Sequence, residues 1–178
     1  MDVVATDAVD EELLLDLLNT TPVVDGLPRD NLENPTVAKT WMRAHGVTPT
    51  RTELTALVGV RSLLQAVVRG ERSPAALRTY LDAVTLKPVA TGHGVDWRIS
   101  TTSAGTGAVR AVLAWDALRI TSPGRLRPCA NTECQLFLID RSKPNTARWC
   151  SMAGCGNRMK ARRHYQRARG TPNADAAD

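Results

Sequence analysis

All four cysteines of this 178-residue chain fall within a window of 27 residues, as Cys129, Cys134, Cys150 and Cys155. They form two C-x4-C pairs that are separated by fifteen residues. Two close pairs at such a separation are typical of a zinc site, because each pair can offer two thiolates to one ion. Four thiolates complete a tetrahedral shell and leave no open position for a substrate. The spacing therefore predicts one structural Zn²⁺ rather than a catalytic one.

Other uses of four clustered cysteines are less consistent with the sequence. Two disulfides would require an oxidising compartment. The acidic start of the chain is unlike a secretory signal, and no apolar run reaches the roughly 18 residues of a membrane helix. We therefore expect a cytoplasmic protein. An iron–sulfur cluster also binds four thiolates, and the spacing excludes it only weakly.

Positive charge is concentrated around and after the cysteines. The whole chain carries a net charge of +5, but residues 119–170 contain twelve Lys and Arg against Glu133 and Asp140, a local charge of +10. The remainder of the chain is therefore at −5. This asymmetry predicts two units with different partners, one of which is a polyanion. A basic face retained for solubility is the alternative.

The residues after the last cysteine predict a basic helix over 157–169. Asn157 is a suitable N-cap, and Gly170 followed by Thr171 and Pro172 would end the helix. Ala161, Tyr165 and Ala168 form a narrow stripe that we expect to rest on the cysteine turns. Basic side chains here could neutralise phosphates or contact guanine edges. The candidate nucleic-acid contacts are Arg148, Arg158, Lys160, Arg162, Arg163, His164, Arg167 and Arg169, of which Lys160, Arg163, His164 and Arg167 share one helix face.

The cysteine segment resembles the CGNR zinc finger. The resemblance is carried by Arg148-Trp149-Cys150-Ser151-Met152, by Cys155-Gly156-Asn157-Arg158 and by Lys160. Residues 137–142 also resemble the family's segment between the cysteine pairs, with Ile139 as one extra residue. The resemblance implies a zinc module that binds DNA in bacterial transcription regulators, with the four cysteines as its ligands.

The first part of the chain resembles the ABATE domain, which accompanies this finger in regulators named for stress induction. The matching residues are Leu15-Asp16-Leu17-Leu18-Asn19-Thr20, Trp41 and Val60-Arg61-Ser62-Leu63-Leu64. We expect an ABATE-like domain over residues 13–121 and a finger over 125–170, with Ser122-Pro123-Gly124 as the hinge. Disordered segments are expected at 1–12 and 171–178.

The expected fold class is α+β, with a predominantly α-helical N-terminal domain that contains a β-hairpin, plus a small C-terminal four-cysteine zinc finger. Periodicity and end signals predict a strand or helical turn at 13–18, helices over 36–45, 50–70, 74–84 and 107–120, and a hairpin over 89–102. The Gly105-Thr106-Gly107 segment lacks the further residues of a phosphate-binding loop, so we interpret it as a turn.

No arrangement of residues indicates catalysis, because His45, His93 and His164 are scattered and lack a neighbouring nucleophile. The sequence therefore favours a DNA-binding transcription regulator that is not an enzyme. Its N-terminal domain would serve in sensing or dimerisation, with a homodimer and a small-molecule effector as further expectations. The alternative is a zinc module that binds RNA or an acidic protein.

Overall fold

The computed structural model describes residues 8–101 and 105–170. Its helices are α1 (Ala8–Leu18), α2 (Pro35–Ala44), α3 (Arg51–Val68), α4 (Thr106–Thr121) and α5 (Asn157–Ala168), with a 3₁₀ helix at Pro74–Tyr80 and a π-helical turn at Met152–Gly156. Three antiparallel pairs contain the strands β1 (Val23–Val24) with β2 (Leu27–Pro28), β3 (Val84–Thr91) with β4 (Gly94–Thr101), and β5 (Leu126–Pro128) with β6 (Phe137–Ile139). The expected helix-rich α+β fold is confirmed.

The core lies between α1, α3 and α4. Helix α1 places Leu13, Leu14, Leu17 and Leu18 in it with no exposed surface, and both α1 and α3 contact α4. Residues at this spacing share one side of a helix, which is why so short an element can be buried so completely. Burial of such leucines is the main source of stability for these helices.

Two helix starts follow the capping rules. The Oγ1 atom of Thr50 accepts a hydrogen bond from the backbone N–H of Glu53 at 3.1 Å, and Asn34 caps α2, which has Pro35 in its first turn. His45 is the C-cap of α2. The predicted start of the long helix at Thr50 is therefore confirmed, and the C-cap of α2 is the residue at which the helix over 36–45 was predicted to end.

Several predicted bounds are wrong. The expected disorder through residue 12 ends sooner, because α1 begins at Ala8, and Asp10 is held by Arg110 with an Nε–Oδ1 distance of 2.6 Å. The helix expected over 74–84 is only the 3₁₀ helix, and β3 already begins at Val84 instead of residue 89. Residues 1–7 and 171–178, which were expected to be disordered, lie outside the described residues.

The start of α4 shows what the Gly105-Thr106-Gly107 segment does. The backbone N–H groups of these three residues donate to the Glu53 carboxylate at 3.1, 2.8 and 3.2 Å. Free N–H groups and the helix dipole favour an anion at this position, and Glu53, which is buried on α3, supplies it. The interpretation as a simple turn therefore missed an internal carboxylate site that joins α3 to α4.

No helix among the described residues is both long enough and apolar enough to span a bilayer.

Candidate metal centre and basic helix

The four cysteines meet at one point although they come from four separate positions of the chain. Cys129 follows β5, Cys134 lies in the loop before β6, Cys150 precedes the π-helical turn, and Cys155 lies inside it. All four Sγ atoms lie within 4.8 Å of one another. The Cys134–Cys150 and Cys150–Cys155 sulfur pairs are both 3.7 Å apart. A tetrahedral zinc with bonds of about 2.3 Å would place its sulfurs roughly 3.8 Å apart.

Backbone and side-chain donors surround the sulfurs. The N–H of Leu136 donates to the Cys134 sulfur, and the N–H of Cys150 donates to the Cys129 sulfur, both at 3.5 Å. The side-chain amide of the fully buried Asn131 donates to the Cys155 sulfur at 3.5 Å. Such donors stabilise thiolates and orient them, as expected around a metal-binding group.

The thiol pKa values follow from burial and from mutual proximity. Burial raises the pKa of Cys134 to about 11, and burial with the charges of Cys129 and Cys134 raises the pKa of Cys150 further. Burial also acts against the Cys155 thiolate, but the hydrogen bond from Asn131 and those from the neighbouring thiols leave the pKa of Cys155 lowered. Four thiolates so close together repel one another unless a cation lies between them, and this donor set fits a soft divalent ion.

Helix α5 continues directly from the π-helical turn that contains Cys155. The start of that turn is capped by Ser151, whose Oγ accepts from the N–H of Gly154 at 3.2 Å. Asn157 was expected to be the N-cap of the basic helix, but it already has helical dihedral angles, and its side chain donates to the Ala153 carbonyl instead. Cys155 and α5 thus belong to one continuous helical segment.

Nearly all of the sequence-predicted nucleic-acid contacts are exposed. Arg163 alone among them is half-buried, with an Nε that has no hydrogen-bond partner among the described residues. Arg148 lies over the Trp149 ring, with its guanidinium carbon 5.6 Å from the ring centroid. The others with exposed side chains are Arg158, Lys160, Arg162, His164, Arg167 and Arg169.

Some of the positive charge counted in the sequence is used within the protein. Arg162 forms an ion pair with Glu133, and Arg127 forms one with the buried Asp140 at 2.9 Å. Arg125 donates to the carbonyls of Asp140 and Ser142. Charge that remains free for a partner is therefore concentrated on α5 rather than spread over the whole segment.

Ala161 and Tyr165, two residues of the stripe that was expected to rest on the cysteine turns, are exposed. The side chain of Ala168, the third residue, lies outside the described part of the structure. The Tyr165 side chain is 67% exposed. Met159 and Arg163 are half-buried, so a different side of α5 is turned towards the rest of the protein.

Sequence reasoning also missed how firmly the cysteine segment is joined to the helical part. Phe137 of β6 is 1% exposed and belongs to the same core as the α1 leucines. The Asn19 side chain donates to the Phe137 carbonyl at 3.2 Å and accepts from its N–H at 2.7 Å. The Arg69 guanidinium lies 4.8 Å from the centroid of the Phe137 ring. Phe137 is a large apolar residue between the cysteine pairs, and this was the one signal that could have indicated a shared core.

The four-cysteine cluster, which leads directly into a basic helix, fits the zinc-finger class of proteins. Residues 125–168 match the family described as the CGNR zinc finger. Residues 11–123 match the ABATE family, described as "Putative stress-induced transcription regulator". This match spans more than half of the chain, so the protein belongs to the ABATE family, with the two regions in the predicted order. No curated protein matches the chain.

Proposed function

We propose that this protein is a zinc-dependent, DNA-binding transcription regulator of the cytoplasm. Cys129, Cys134, Cys150 and Cys155 would hold one structural Zn²⁺, and α5 would contact duplex DNA. The ABATE region would serve in sensing or dimerisation. Both matched families are regulator or zinc-finger types rather than enzymes, which supports a non-catalytic role.

The observation that carries this proposal is the free positive charge of α5 beside the cysteine cluster. Lys160 and Arg167 are exposed at i and i+7, on one side of the helix, and neither forms an ion pair within the described part of the chain. Like charges at this density oppose an isolated helix, and a row of phosphates would relieve the repulsion. Zinc, when bound, would supply the cross-link that fixes the start of this helix.

The number of free bases sets the expected salt dependence. Six permanently charged candidates have no ion pair among the described residues, namely Arg148, Arg158, Lys160, Arg163, Arg167 and Arg169. Each phosphate neutralised contributes about −0.9 to the slope of log affinity against log salt. A slope no steeper than about −5 is therefore expected for duplex DNA, instead of roughly −11 if all twelve bases made contact.

A double charge reversal tests the helix assignment. Lys160→Glu with Arg167→Glu should weaken duplex binding at least tenfold near physiological salt, and removal of the two contacts should make the slope shallower by about 2. Arg162 and Arg163 are poorer targets, because one is paired with Glu133 and the other is half-buried. The matched control is Lys39→Glu with Arg43→Glu, which makes the same charge change on the exposed side of α2.

Fluorescence anisotropy with a random duplex pool and with structured RNA would measure these effects on zinc-loaded protein. Metal analysis should find about one zinc per chain. Equal losses for the α5 variant and the α2 control would contradict the proposed interface. Strong binding to RNA, without preference for any duplex DNA, would favour the alternative of an RNA-binding zinc module.

A further inference from the structure

The β3–β4 hairpin forms a two-stranded sheet of its own. Its two strands pair with each other over eight residues each, and no third described strand joins this sheet. One face carries Val95, Trp97 and Ile99 of β4, opposite Leu86 and Pro88 of β3. Val95 is 61% exposed, and Trp97 and Ile99 are only half-buried. A two-stranded sheet with an open apolar face is marginal in water, so this hairpin needs further cover.

The register of the hairpin determines which backbone groups point outward. Thr91 and Gly94 flank the two-residue turn of Gly92 and His93, and such a closing pair is hydrogen-bonded. Directly opposite pairs alternate along an antiparallel ladder, so the pair of Pro88 with Trp97 is not hydrogen-bonded. Pro88 has no N–H to donate, which is consistent with this assignment. The N–H and C=O groups of Val95, Trp97 and Ile99 therefore point away from β3.

The two edges of the hairpin are not equivalent. Pro88 removes the central donor from the outer edge of β3, and proline is one of the devices by which edge strands avoid further pairing. No proline occurs in β4, so its outer edge offers a continuous row of donors and acceptors from Val95 to Ile99. A partner strand would add to β4 and not to β3.

We propose that β4 pairs with β4 of a second copy of this chain, antiparallel about a two-fold axis at Trp97. This register pairs Trp97 with its own copy and Val95 with the partner's Ile99, so that outward-pointing groups of both strands face one another. The product is a four-stranded antiparallel sheet with one continuous apolar row. The inference specifies the dimerisation named in the proposed function.

Charge complementarity selects this register. Asp96 and Arg98 are exposed on the opposite face of β4, and among the described residues neither has an ion-pair partner. In the two-fold pairing, Asp96 of each copy lies directly opposite Arg98 of the other, in a non-hydrogen-bonded pair where side chains approach most closely. Two such pairs form per dimer. With a two-fold axis at Val95 or at Ile99, Asp96 would no longer lie opposite Arg98 of the other copy. The row of hydrogen bonds between the two β4 strands would also be shorter.

Charge exchange provides the decisive experiment on full-length, zinc-loaded protein without DNA. Sedimentation velocity should show a dimer for the natural chain. Arg98→Asp should place carboxylates opposite carboxylates and weaken the dimer at least tenfold, and Asp96→Arg should do the same with cations. The double variant with Asp96→Arg and Arg98→Asp should restore the dimer, because each pair is then reversed but intact.

Backbone variants test the edge itself. Trp97→Pro removes the central outward donor of β4 and should give a monomer, whereas Ala90→Pro removes an outward donor from the β3 edge and should leave the dimer intact. Protection of the Val95, Trp97 and Ile99 amides from hydrogen exchange should rise with protein concentration. A monomeric natural chain, or a double charge variant that stays as weak as its parents, would overturn the inference. These experiments contain no nucleic acid, so a failure of the dimer would not bear on DNA binding, which the α5 variants test separately.

Discussion

Substitution of Phe137 by alanine tests whether the finger and the ABATE region share one core. The side chain is 1% exposed and contacts the core of α1 leucines. Loss of a buried phenylalanine costs about 3–5 kcal/mol, because apolar contacts are lost and a cavity is left. The Arg69 guanidinium above the ring adds about 0.5–1 kcal/mol. We therefore expect Phe137→Ala to lower the free energy of unfolding by about 4 kcal/mol, a large part of the 5–15 kcal/mol of a typical domain.

The measurement is denaturant unfolding of zinc-loaded protein, followed by tryptophan fluorescence and by far-ultraviolet circular dichroism. The natural chain should unfold in one transition, because Trp41 packs against the same core that holds Phe137. Leu136→Ala is the matched control, since Leu136 is adjacent in sequence, half-buried and outside the core cluster. A loss for Phe137→Ala no larger than that for Leu136→Ala would refute the shared core.

Three further predictions concern other parts of the structure. Glu53→Gln should lower the free energy of unfolding by about 2–3 kcal/mol in thermal or denaturant melts. The reason is that the side chain that accepts from the N–H groups of Gly105, Thr106 and Gly107 loses its charge and one of its two acceptor oxygens. An unchanged melting curve would contradict this. The hydrogen bond from the buried Arg61 lowers the pKa of Asp30 from its ordinary value of 3.8. The ionised Asp30 therefore stabilises the fold fully above pH 3.8, and this contribution is lost as the pH falls through the lowered pKa. The Asp30→Asn variant should accordingly be less stable than the natural chain at neutral pH, and its free energy of unfolding should fall less as the solution is acidified. If the stability of both proteins fell equally in acid, the Asp30–Arg61 pair would not be a cause of the acid sensitivity. Removal of zinc by a chelator should reduce the helical circular dichroism by about the 12 residues of α5. This helix is continuous with the turn that holds Cys155 and contacts it, whereas its ion pair with Glu133 is exposed and stabilises it little. Unchanged helicity would mean that α5 does not depend on the metal.

The cysteine cluster could be predicted from sequence because its signal is local and chemical. Two pairs of thiols at a fixed spacing limit the geometry, and few uses other than a metal fit a chain without export signals. The long helix from Thr50 was predictable for a similar reason, since both its cap and its apolar period lie within one segment. The DNA contacts, and the bounds of the ABATE region and of the finger, stay predictions.

The features that sequence reasoning missed depend on partners that are distant in the chain. Asn19 and Phe137 are separated by 118 positions, and Glu53 and Gly105 by 52. The sequence around either residue of such a pair contains no pattern that predicts its contact with the other. The residues 8–12 were expected to be disordered because they are acidic, but Asp10 on α1 is held by Arg110 of α4, which no local propensity reveals.

The distribution of charge shows why composition alone overstates the basic surface. Arg127 and Arg162 each have a carboxylate partner within the finger, and Arg141 pairs with Glu11 of α1. These guanidiniums stabilise the fold and its attachment to the helical part, so their charges are already compensated. Lys160 and Arg167 lie beyond the reach of these acids, on a helix that extends from the cysteine cluster. Four of the six candidate bases without an ion pair among the described residues therefore lie on the 12 residues of α5, where a phosphate backbone could meet several charges at once.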